Sequence, residues 1–172
     1  MSKSTLSSGK ARVSAAVLLA AVATSAWAWD AGRMTGGGSI ICPAPVYRVT
    51  FGYELHCQPE HGDIPGPNNL EVNFSSGEHF HLTTLTQAVC SGPNATTPDA
   101  PFNTMTGEGM GTLNGQAATI KFVLVDNAEP GRHYDTAKFV ITTTSGTALS
   151  CGPLPLDGGN NQAHRATGGG QP

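Results

Sequence analysis

Residues 47–57 read Tyr-Arg-Val-Thr-Phe-Gly-Tyr-Glu-Leu-His-Cys, and they alternate without a break. Tyr47, Val49, Phe51, Tyr53, Leu55 and Cys57 fall on one side, and Arg48, Thr50, Gly52, Glu54 and His56 on the other. Successive side chains of an extended chain point to opposite faces, so a period of two predicts a strand with one face in a core and one in water. Leu70 to Phe74 repeats the pattern with Leu70, Val72 and Phe74 inward, and His79 to Leu82 repeats it with His79 and His81 outward. Between these runs, Gln58 to Asn68 holds three Pro and two Gly and reads as a loop.

Further along, Thr84 to Cys90 reads either as strand or as one short helical turn, and Ser91 to Pro101 as loop. Gly107 to Gly115 is a Gly-punctuated strand and turn, and Ala118 to Asp126 a central strand. An acidic turn covers Asp126 to Asp135. Thr136 to Thr144 and Thr147 to Cys151 flank Ser145-Gly146 as a hairpin. After Cys151 the chain is rich in Gly and Asn and reads as loose beyond its first part. Seven or eight short strands joined by turns predict an all-β fold, an antiparallel β-sandwich or a squat barrel.

Composition agrees. The 172 residues include 22 Gly and 12 Pro, and only 12% are charged, against roughly 25% in ordinary soluble domains. Nine basic residues and a net charge of -3 exclude a nucleic-acid protein, which needs a dense Lys/Arg footprint on phosphate.

Lys3, Lys10 and Arg12 precede the apolar stretch Val13 to Thr24, and Ala26-Trp27-Ala28 follows it. Twelve apolar residues are too few to span a bilayer, which takes about 20, and the small-x-small ending fits a signal peptidase site. Cleavage after Ala28 would leave 144 residues with a net charge of -6 and no transmembrane anchor. The predicted organisation is a signal peptide at 1–28, a flexible Gly-rich lead-in at 29–39, a β-sandwich domain at 40–164 and a disordered tail at 165–172. The expected location is the periplasm, cell surface or extracellular space.

Cys42, Cys57, Cys90 and Cys151 all follow Ala28, and an even count in an exported chain reads as two disulfides. The spacings 15, 33 and 61 contain no CxxC and match no common zinc finger. Four cysteines allow three connectivities, which sequence alone leaves open. The pairing favoured here joins Cys57 to Cys90 and leaves Cys42 for Cys151.

Several blocks resemble the post-COAP domain family of secreted and surface-associated, mostly bacterial proteins. They are Gly32-Arg33-Met34-Thr35-Gly36-Gly37-Gly38-Ser39, Tyr53-Glu54-Leu55-His56-Cys57 and Gly66-Pro67-Asn68-Asn69-Leu70-Glu71-Val72-Asn73. Phe80-His81-Leu82, Val89-Cys90, Asp126 with Glu129-Pro130-Gly131 and Asp135, and Gly159-Asn160-Asn161-Gln162-Ala163-His164 complete the set. The resemblance implies a β-rich accessory module with no assigned activity, and it implies a bridge between Cys57 and Cys90. Cys42 and Cys151 stand outside the family pattern.

Two constellations could carry chemistry. Glu54, His56, His79 and His81 point away from the apolar face, and Glu-x-His and His-x-His spacings suit Zn²⁺ or Cu²⁺. If the strands are neighbours and the tail returns His164, then Glu54, His56, His81 and His164 form a transition-metal site. In the acidic turn, Asp126, Glu129 and Asp135 offer hard oxygen ligands of the kind Ca²⁺ takes, without EF-hand spacing. For each, the plainer alternative is a polar outer face or a solvated turn. No GxSxG is present, and an even cysteine count leaves no free thiol for catalysis. The sequence therefore predicts an exported, non-catalytic structural or binding module, with a metal-binding protein or small metal-dependent enzyme as the alternative. It names neither ligand nor partner.

Overall fold

A computed structural model describes residues 32–43, 45–59, 61–92 and 100–165. The predicted signal peptide and residues 166–172 of the tail lie outside the described residues. Nine strands form one antiparallel sheet: β1 Gly32–Pro43, β2 Val46–His56, β3 Asn69–Phe74, β4 His79–Ser91, β5 Thr104–Leu113, β6 Gln116–Val125, β7 Thr136–Thr143, β8 Gly146–Pro155 and β9 Gly158–Arg165. The order across the sheet is β8-β7-β6-β5-β4-β3-β2-β1-β9, and the described residues contain no helix.

The sheet curls into a half-barrel, nearer to the squat-barrel alternative than to a sandwich, and the described residues give nine strands where seven or eight were expected. Every neighbour from β1 to β8 is the next strand in sequence, so no strand changes sheet. Curling is visible in the core: Phe51 on β2 and Phe139 on β7 are five strands apart in the sheet, yet their ring centroids lie 5.0 Å apart. Val49, Phe51, Tyr53 and Leu55 are buried, as the alternation requires, together with Ile120, Phe122, Leu124, Phe139 and Ile141 from the far side.

Two local readings need correction, and one open alternative is decided. Residues 32–39 are not a flexible lead-in but most of β1, an interior strand between β2 and β9. Its glycines serve close approach: a Cβ on Gly38 would overlap the Gly158 carbonyl oxygen. The stretch Thr84–Cys90 is strand throughout, with register shifts between Leu82 and Thr84 and between Leu85 and Gln87. These bulges space the buried residues Leu82, Leu85 and Ala88 at three, which mimics a helical repeat. The described chain beyond Cys151 is mostly strand: β8 runs to Pro155 and β9 to Arg165, the first residue of the expected tail.

Of the five inward positions on β5, the middle three are Gly107, Gly109 and Gly111, because β4 and the large rings beside it leave no room there. A methyl group on Gly111 would overlap the His81 carbonyl and press on Phe80. Gly111→Ala is expected to destabilise by about 2–3 kcal/mol, read from the denaturant midpoint.

Both favoured disulfides are present. Cys57–Cys90 joins the end of β2 to β4 at a Cα separation of 5.5 Å. Cys42–Cys151 joins β1 to β8 at 5.6 Å and ties an edge strand to one seven places away in the sheet order.

Candidate functional site

The outward-facing residues singled out above do reach the outer face, but on different parts of it. Arg33 on β1 lies between His56 on β2 and His164 on β9 in register. Strands are about 4.8 Å apart, so the two imidazoles sit on strands about 10 Å apart, whereas zinc ligands lie about 2 Å from the metal. Glu54 pairs with Arg33 at 2.9 Å. The Asn68 Oδ1 atom accepts the His56 main-chain N–H at 2.7 Å and lies 3.3 Å from its Nδ1. His164 Nε2 is hydrogen-bonded to Thr35 Oγ1 at 2.8 Å.

His81 belongs to a separate group on β3 and β4. It faces Glu71 in register, and its Nδ1 is hydrogen-bonded to Glu71 Oε1. The second oxygen of Glu71 is 3.0 Å from His79 Nε2. This carboxylate, which alternation places outward without marking it as a partner, thus sits between two half-exposed imidazoles. Among the described residues, no group of three or more His, Cys, Asp and Glu is arranged to hold a metal ion.

The two ends of the acidic turn face inward, while Glu129 between them is exposed. Asp126 and Asp135 are buried, 1% and 0% exposed, at the two ends of the β6–β7 connection. Asp126 Oδ2 accepts the Ala163 N–H at 2.9 Å. Asp135 Oδ2 accepts the Asn161 N–H at 2.7 Å, and its Oδ1 accepts those of Asn127 at 2.8 Å and Ala128 at 3.2 Å. Glu129 accepts the side-chain amides of Asn160 and Gln162 at 3.0 Å each. The Gly131 N–H donates to Asn160 Oδ1 at 2.6 Å. Five of these six carboxylate oxygens accept N–H groups, the kind of donor that suits a carboxylate.

Asn161, absent from both sequence-derived constellations, is the centre of this region. It is fully buried. Tyr53 Oη donates to its Oδ1 at 2.9 Å, while its Nδ2 donates to the carbonyls of Val125 at 3.0 Å and Thr136 at 3.2 Å. Burial pushes the Tyr53 hydroxyl well above its usual pKa, helped by the negative charges of Asp135 and Asp126. The one sequence signal is the alternation of Asn161 with Ala163 on the same side of β9, which in a polar, Gly-rich segment is too short to read.

Burial also raises the pKa of Asp126 and Asp135 above the ordinary 3.8, against the opposing effect of the main-chain donors. The Oδ1 atom of Asp126 is buried with no hydrogen-bond partner among the described residues. A carboxyl whose folded pKa is raised binds its proton more tightly in the native state. Its contribution to stability is therefore complete below the ordinary value and is lost as pH rises through the folded one. The Tm is expected to rise as pH falls through the raised pKa of these carboxyls toward their ordinary value, and Asp126→Asn, which keeps an oxygen for Ala163 and removes the charge, is expected to flatten that rise. A pH series of thermal melts on both proteins checks it; equal slopes would refute it.

Compared with known proteins, the chain matches no family model, no curated protein and no solved structure. No helix among the described residues is long and apolar enough to cross a membrane.

Proposed function

We propose that the protein is an exported, non-catalytic structural or binding module that works at the cell surface or in the envelope space. The observation that carries this reading is the engagement of its chemically capable side chains. Glu54, His81 and His164 hold partners on neighbouring strands, His56 is met by Asn68 just before β3, and Asp126, Glu129 and Asp135 hold the β6–β7 turn to β9. Two disulfides across the curled sheet fit an oxidising compartment and suit a rigid body that presents its outer face and loops. The resemblance to the post-COAP family, whose members are secreted and surface-associated modules, points the same way.

Purification of the oxidised protein without chelators or a histidine tag, followed by elemental analysis, tests this. Metal far below one ion per chain is expected, with a Tm indifferent to added Zn²⁺, Cu²⁺ or Ca²⁺. Stoichiometric Zn or Cu would replace this reading with a metal-binding one at the histidines. Stoichiometric Ca would do so at Asp126, Glu129 and Asp135.

A further inference from the structure

On the outer face, β1 and β9 meet through a block of side chains in register. Thr35 stands opposite Gln162, and Arg33 opposite His164. Thr35 Oγ1 is hydrogen-bonded to His164 Nε2 at 2.8 Å, a contact that runs diagonally across the block. From the other side of β9, Glu129 Oε1 accepts the Gln162 Nε2–H at 3.0 Å. Opposite residues of an antiparallel pair have Cβ atoms about 4.5–5.5 Å apart, a gap that a Thr hydroxyl and a Gln carboxamide can close.

A hydroxyl hydrogen-bonded to an imidazole nitrogen is the arrangement that activates an oxygen nucleophile. In the tautomer that carries its proton on Nδ1, His164 Nε2 accepts the Thr35 hydroxyl. The carbonyl group across the strand gap is the Gln162 carboxamide, and Glu129 holds its nitrogen, the atom that departs in an acyl transfer. Arg33 adds a fixed positive charge to the same block, and its Nε is buried without a hydrogen-bond partner among the described residues. Such a charge favours the negative oxygen that develops when a carboxamide is attacked.

We propose that Thr35 and Gln162 form an intramolecular ester that joins β1 to β9, with His164 as the base. Thr35 Oγ1 attacks Gln162 Cδ as its proton passes to His164 Nε2. The C–N bond of the tetrahedral adduct then breaks, and His164 returns the proton to the departing nitrogen, which leaves as ammonia. One C–O bond replaces one C–N bond, and no oxidant, reductant or activated donor takes part. Gln162 is exposed, so the ammonia escapes to solvent. A hydroxyl held in the same block has an effective concentration far above that of water, which favours the ester over hydrolysis of the amide. The bond fastens β9, a strand that neither disulfide reaches. This goes beyond the binding-module reading, which stands whether or not the bond forms.

Peptide mapping by mass spectrometry of the purified, oxidised protein tests the proposal. The protein is reduced before digestion, because Cys42 and Cys151 lie on the same two tryptic peptides as Thr35 and Gln162, residues 34–48 and 139–165. One joined species is expected, lighter than the two peptides together by one ammonia, with fragments that place the link at 35 and 162. Hydroxylamine, which cleaves esters, should separate it into two. Thr35→Val and His164→Ala should each yield the two peptides apart and at full mass. Separate peptides from the wild type, a link that survives hydroxylamine, a joined species in Thr35→Val or an undiminished link in His164→Ala would each overturn the proposal. The wild-type map decides the matter even where a variant does not fold.

Discussion

Asp135→Ala is expected to lower stability by about 3 kcal/mol, a Tm drop of about 6–12 °C. The carboxylate accepts three main-chain N–H groups, from Asn127 and Ala128 in its own turn and from Asn161 on β9. Alanine leaves the buried Asn161 donor with no acceptor, at about 1–3 kcal/mol, while the two turn donors are nearer to water and recover part of theirs. Relief from a buried charge with a raised pKa offsets some of the loss. Asp126→Ala removes one such bond and is expected to lose less. Equal losses would mean that the turn is not held in the way described.

Removing the Cys42–Cys151 bridge has the largest expected effect. It closes a loop of 109 residues, against 33 for Cys57–Cys90. In the chain-entropy account these correspond to about 5 and about 4 kcal/mol. The longer bridge also fastens β1 to β8, strands seven places apart in the sheet order. Cys42→Ala with Cys151→Ala should therefore lower the denaturant midpoint more than the Cys57/Cys90 double variant does. It should also open the chain to protease along β8. A larger loss from the shorter bridge would contradict this account.

How much of this was legible in the sequence depended on whether side chains or backbones make the contact. Tyr47 to Cys57 could be read because its inward residues pack by their side chains, and alternation records that directly. β1 could not, since Gly36, Gly37 and Gly38 contribute backbone proximity, which in sequence looks the same as flexibility. β4 was half legible: its two bulges replace a period of two by steps of three over Leu82, Leu85 and Ala88.

The candidate sites divide along the same line. Glu54, His56 and His81 were read as off the core side, for that follows from alternation, whereas His164 was placed there only if the tail returned. Whether they converge depends on strand order and register, which alternation does not carry. The acidic turn was legible as a cluster of carboxylates, but not as a grip on β9. Its partners at Asn161 and Ala163 are main-chain amides 26 and 37 residues away. Any residue type supplies such a donor, so nothing in the side chains announces it.

The central claim is that the acidic residues hold the last strand in place. Amide hydrogen exchange at Asn161 and Ala163, in the wild type and in Asp135→Ala and Asp126→Ala, tests it most directly. The account predicts slow exchange at both amides in the wild type. In Asp135→Ala protection should fall first at Asn161 and then along β9, in Asp126→Ala at Ala163, with β2 to β7 still protected in both. Fast exchange at these two amides in the wild type, or protection unchanged by either substitution, would contradict it.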